Sequence, residues 1–165
     1  GNREFLLPRN QDQLRESELP FSQVVLGKFY LTWGSKRFGF EHGDKVNIDD
    51  KNYLRWYAIS HSRAFETFFR GLPSSLANKF AEHLEIKMAQ SNQEFKIQLP
   101  KEHLEKFAET SMEAVDEFFL GHFHERFSYY TKNTSKKLHI IPDWLNTREY
   151  WRIDPQGKRT ELQFS

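Results

Sequence analysis

Cysteine is absent from the 165 residues. Disulfides, thiolate-bound zinc and thiol nucleophiles are therefore excluded. Long apolar runs are absent too: none approaches the roughly 20 residues of a bilayer-spanning helix, so no membrane partner is expected. The start of the chain lacks the pattern of a signal peptide. Neither charge sign dominates, with 24 Lys and Arg against 23 Asp and Glu and a net charge of +1. The strongly basic balance of a dedicated DNA binder is missing. No internal repeat or low-complexity tract occurs, and there is no Gly-rich phosphate loop or Gly-x-Ser-x-Gly elbow. Asp44, Asn47, Asp49 and Asp50 lack the spacing and terminal Glu of a calcium loop. These absences lead to the expectation of no cofactor and an intracellular setting, cytoplasm or nucleus. The chain opens on Gly1 rather than Met, which reads as a tag remnant on a fragment of a larger protein.

Aromatic residues are plentiful, at 16% with 16 Phe, enough for a folded core and against disorder. The length suits one domain over 1–165, with 1–20 as a loosely packed segment and a brief helix near 10–18. Residues 22–59 read as an antiparallel β-meander: Val24 to Trp33, a Gly34-Ser35 turn, Arg37 to His42, a short Lys45 to Ile48, and Tyr53 to Ile59. Ser62 can cap a short helix ended by Gly71 and Pro73, and Ser74 or Ser75 a second one to about Gln90. Phe95, Ile97 and Leu99 alternate as a strand. Pro100 then opens a long amphipathic helix reaching about Tyr130, with Leu104, Phe107, Ala108, Val115, Phe118, Phe119 and His122 on one stripe. A short run, Leu138 to Ile141, precedes a C-terminal hairpin that turns at Asp154-Pro155-Gln156-Gly157. The fold class expected is α+β.

Lys36-Arg37-Phe38-Gly39-Phe40 is the most informative stretch. On a strand its two Phe share a face, with two cations at the strand's start. Lys28, Tyr30, Arg55 and Tyr57 fall on the neighbouring strands of the expected meander. Aromatics that stack on bases and cations that meet phosphate are the means of nucleic-acid recognition. Gly27-Lys28, Lys36-Arg37-Phe38-Gly39-Phe40 and Arg55-Trp56-Tyr57-Ala58-Ile59 locally resemble the front half of a cold-shock domain, and the middle stretch also resembles the aromatic strand of an RNA-recognition motif. Arg37 departs from the Gly of the cold-shock pattern. The resemblance covers about a fifth of the chain and implies RNA or DNA as partner. The expected contacts are Lys28, Tyr30, Lys36, Arg37, Phe38, Phe40, Arg55 and Tyr57, joined by Lys136 and Lys137 in a basic loop. The competing reading makes Phe38 and Phe40 core.

Other constellations suggest other classes. Residues 102–125 hold seven acids against one Lys, an acidic helix face that a basic protein partner would fit. The apolar edge of 159–164 offers strand pairing. Asp154, with Glu161 and Gln163 on the next strand, resembles the metal-binding hairpin of PD-(D/E)XK nucleases. His122-Phe123-His124 resembles the metal-binding triplet of rolling-circle replication nucleases, but inside the expected helix its imidazoles would not face each other. The expectation is thus a non-catalytic nucleic-acid-binding domain, with an interaction domain and a metal-dependent nuclease as alternatives.

Overall fold

A computed structural model describes residues 25, 27–80, 82–83, 86, 99–112 and 114–164. Their contacts form two compact units, one holding 27–46 and 100–164, the other drawn from 47–99. The fold class is α+β. In chain order the elements are β1 Phe29–Trp33, β2 Lys36–Glu41, α1 Lys51–Ser60, α2 Arg63–Gly71, α3 at 74–80, α4 Lys101–Ser111, β3 Glu117–Leu120, β4 Phe127–Tyr130, β5 Lys137–Ile140, α5 Trp144–Thr147, β6 Glu149–Ile153 and β7 Arg159–Gln163. No helix among the described residues is long and apolar enough to cross a membrane. The expected segment 1–20 and the strand through Phe95 and Ile97 lie outside the described residues.

The first unit is built on a five-stranded sheet in the order β1-β2-β3-β5-β4. Its three central strands β2, β3 and β5 are parallel, and the outer two run antiparallel to their neighbours. The register sorts side chains onto two faces. Phe38, Phe40, Glu117, Phe119, Lys137 and His139 share one face, and Gly39, Phe118, Leu120, Leu138 and Ile140 the other. α4 packs on the second face, with the Phe107 and Phe118 rings 5.3 Å apart. The β6–β7 hairpin packs on the first, with Trp151 edge-on to Phe119 at 5.7 Å and to His139 at 5.5 Å. β3 is buried on both faces along its whole length. Gly39 stands opposite Phe118, and a Cβ there would lie 2.5 Å from the Phe118 ring. Glycine is therefore needed at 39 so that Phe118 can cross the strand.

The second unit is helical where it is described. Asp50 caps α1 by accepting the Tyr53 N–H at 2.9 Å, and Ser62 caps α2 by accepting the Phe65 N–H at 3.2 Å. Tyr53, Tyr57 and His61 stack at steps of four along α1, with Tyr57 and His61 centroids 3.8 Å apart. Phe65, Phe69 and Phe80 pack α2 against α3.

Two expected elements are corrected. The meander stops after two strands: residues 44–46 form a turn and Tyr53 to Ile59 belongs to α1. The long helix stops at Ser111, and its continuation is β3, a loop and β4. An apolar run buried on both faces, as in Phe118-Phe119-Leu120, carries no alternation and fits a helical stripe as readily as a central strand.

Candidate functional site

The parallel strands bring their carboxyl ends to one edge of the sheet, where the chain turns out into loops. In open sheets with parallel strands, this edge is where ligands bind. β2 ends in Glu41 and continues as His42-Gly43-Asp44. β3 ends in Leu120 and continues as Gly121-His122-Phe123-His124. β5 ends in Ile140 and continues as Ile141-Pro142-Asp143. Three segments separated by some 80 and 20 residues thus converge.

His42 Nε2 and His122 Nδ1 lie 3.3 Å apart, with the rings edge to face at 5.1 Å between centroids. Gly121 lies against His42, and a Cβ there would make ordinary contact with the His42 carbonyl at 3.5 Å and Nδ1 at 3.7 Å. The backbone is strained at both histidines of the triplet, with φ of 64° at His122 and 57° at His124. Left-handed non-glycine residues cluster at functional sites. His124 Nδ1 is 3.6 Å from Asp143 Oδ1. Asp143 is itself fixed as the cap of α5, accepting the Leu145 N–H at 3.0 Å and the Asn146 amide. Next to His42, Glu41 keeps one carboxylate oxygen buried with Lys28 at 3.9 Å, and burial pushes its carboxyl above the usual range.

Two imidazole nitrogens 3.3 Å apart can share one proton as a hydrogen bond. The spacing also matches two ligands on one cation: nitrogens bound tetrahedrally at about 2.0–2.1 Å stand about 3.3 Å from each other. Among the described residues, no group of three or more His, Asp or Glu is gathered closely enough to hold a metal ion as it stands. His124, two residues beyond His122, lies with its Nδ1 3.6 Å from Asp143 Oδ1.

The expected nucleic-acid residues do not form one surface. Phe38 is 0% exposed and sits in the core beside Phe119, so it cannot stack on a base. Phe40 is half-buried, stacked on Phe119 at 5.1 Å and tilted against Phe29. Arg55 and Tyr57 lie on α1 in the other unit, not on a neighbouring strand. Tyr30 is exposed, with Arg37 over its ring at 5.2 Å, on the opposite face from Phe38. Lys28 is near Glu41, Lys36 binds Glu117 at 2.9 Å, and the Lys136 ammonium donates to the Met112 carbonyl at 2.8 Å. Lys137 lies over the Tyr130 ring at 5.2 Å.

The other candidates are corrected as well. The acids of 102–125 make no single helix face, because Glu117 is buried in the sheet and Glu109 binds the Tyr129 hydroxyl and the Lys132 N–H. Asp154 Oδ1 accepts the Gln156 and Lys158 N–H groups, and Glu161 pairs with Arg126 and Arg159. Both acids are thus engaged in holding the hairpin rather than converging on a metal. His122 and His124 are in a loop, neither in the expected helix nor on the strand that the replication-nuclease triplet would need. His42 is the residue that sequence reasoning missed. Its signal was a His-Gly-Asp directly after a strand, matching Gly-His-x-His directly after another. No family model matches the chain, and no curated protein matches it in sequence.

Proposed function

We propose that the carboxyl edge of β2, β3 and β5 is a divalent-metal centre that serves metal-assisted ester hydrolysis. The observation that carries this reading is the pairing of His42 and His122 at 3.3 Å across adjacent parallel strands. His42 and His122 would be the first two ligands, with water or substrate completing the coordination. His124, with Asp143 Oδ1 at 3.6 Å from its Nδ1, stands on the same edge. Imidazole ligands suit zinc and its first-row neighbours. A dication held by His42 and His122 would act as a Lewis acid and would lower the pKa of bound water toward neutrality. The test is titration of the chelator-treated protein with Zn²⁺ and Mn²⁺ by calorimetry, followed by turnover of p-nitrophenyl phosphate. Saturable binding is expected, weakened at least tenfold in His42→Ala and in His122→Ala. Absence of binding, or binding unchanged in both histidine variants, refutes the reading.

A second reading keeps RNA or DNA as partner, without the expected aromatic face. It is supported by the exposed Tyr30 with Arg37 packed on its ring. Salt-sensitive binding of labelled oligonucleotides, lost in Tyr30→Ala with Arg37→Ala, is its expected outcome. Equal binding by that double variant removes it.

A further inference from the structure

The opposite, amino edge of the same strands carries a second concave site. Lys36 opens β2, Glu117 opens β3 and Lys137 opens β5, so these residues stand at the far ends of the strands from the histidines. Six residue steps from Lys36 to His42 place the two sites roughly 20 Å apart. Lys36, Glu117, Lys137 and the hairpin residues Gln156, Gly157, Lys158 and Arg159 line a pocket of about 310 Å³.

Its charges do not balance. Four cations, Lys36, Lys137, Lys158 and Arg159, line the pocket with one carboxylate, Glu117, while Glu161 and Asp154 stand beside it. Glu117 is shared by Lys36 at 2.9 Å, His139 at 3.3 Å and Arg159 at 3.9 Å. Glu161 binds Arg159 at 2.9 Å. Among the described residues, the Lys137 and Lys158 ammonium groups have no carboxylate partner. Two positive charges held in one concavity repel each other, and a bound dianion relieves that repulsion. The pocket is also rigidly framed. Gly157 has a φ of 77°, and a Cβ there would press on Lys36 and the Trp33 carbonyl at 3.3–3.4 Å, so the turn sits directly against the sheet. Asp154 Oδ1 ties the turn from within through Gln156 N–H at 3.0 Å and Lys158 N–H at 2.8 Å. Lys158 and the Gln156 side-chain amide are thus carried on a turn already held against the edge that carries Lys137.

We propose that this pocket binds a dianionic phosphate monoester, with Lys137 and Lys158 as its charge partners and Gln156 as a neutral donor. A phosphate monoester carries a charge of about −1.5 to −2 at pH 7, enough to meet both the Lys137 and the Lys158 ammonium groups. The volume stands at the low end for small-molecule sites, so a terminal phosphate with a small attached group fits. The site is separate from the histidine edge and stands or falls without it.

The experiment is a titration of the full chain at low salt with inorganic phosphate, adenosine monophosphate and a single-stranded oligonucleotide lacking terminal phosphate. It is read by calorimetry and by the amide resonances of Gln156 and Gly157. Saturable binding of phosphate and adenosine monophosphate is expected, with both resonances moving. Lys137→Ala with Lys158→Ala should weaken it at least tenfold, and Lys137→Arg with Lys158→Arg should restore most of it. The charge-conserving pair separates lost contacts from a lost fold. Tighter binding of adenosine monophosphate than of phosphate would make a small phosphorylated metabolite the source, and equal binding would make it phosphate itself. Binding of the oligonucleotide alone, no binding of either monophosphate ligand, or binding unaffected by the double Ala variant overturns the proposal.

Discussion

Glu117→Gln removes one charge from the interior of the sheet and keeps the side chain's shape. The Glu117 residue is 4% exposed, and its carboxylate is approached by Lys36, His139 and Arg159. The contact with His139 does most to hold its carboxyl down at about 2, against burial, and Lys36 adds to it. A shift from 4.5 to about 2 corresponds to about 3 kcal/mol at 1.36 kcal/mol per unit. Because the folded value is depressed, this stability is present above pH 4.5 and is lost as pH falls toward 2. At pH 7 the variant is therefore expected to be about 3 kcal/mol less stable, in line with the cost of breaking a buried ion pair. Between pH 6 and pH 3 the gap should narrow by about 2 kcal/mol, because only the wild type has this proton to take up. Urea unfolding followed by tryptophan fluorescence measures both quantities. A Trp56→Phe background leaves Trp33, Trp144 and Trp151, all in the unit of the sheet, as reporters. Parallel stability curves for the wild type and the Glu117→Gln variant across this pH range would show that the carboxylate gains nothing from its partners, and the reasoning would fail.

Phe38→Ala should cost about 3–5 kcal/mol, as for a fully buried ring, whereas Tyr30→Ala should stay within about 1 kcal/mol. Equal losses in urea unfolding would contradict their assignment to core and surface. Gly39→Ala should cost about 1–3 kcal/mol through its clash with Phe118, and the penalty should shrink in a Phe118→Leu background. An undiminished penalty would mean that the strain lies in the backbone instead. Ser62→Ala removes the cap of α2 and should cost about 1 kcal/mol, read as faster amide exchange over the first turn of that helix.

Local chemistry was legible where one segment decides the outcome. The Gly34-Ser35 turn, the Ser62 cap and the Asp154–Gly157 turn all follow from side chains acting within a few residues. The α+β class followed from the mixture of such signals. Residues 53–59 were illegible because Trp and Tyr favour strands on average, while the decisive features were the Asp50 cap and the four-residue spacing of Tyr53, Tyr57 and His61. The run from Val115 to His122 was illegible for a different reason. Burial on both faces erases the alternation that marks a strand, and only Gly121 broke the helical stripe.

The histidine site shows why function lagged behind fold. In an antiparallel hairpin, neighbouring residues are close in sequence, so a site can be read from one segment. Parallel neighbours need a crossover, and here the crossover from β2 to β3 spans residues 42–116. His42 and His122 are therefore 80 residues apart in sequence and 3.3 Å apart in space. Each has the same local setting, a small residue beside a histidine directly after a strand, and each alone reads as a solvated loop. Once β2 and β3 are known to be parallel neighbours, Phe40 opposite Phe119 and Glu41 opposite Leu120 carry the register to the two loops without further choice. The pairing of strands, more than any motif, is what turns two ordinary histidines into a pair spaced for one cation.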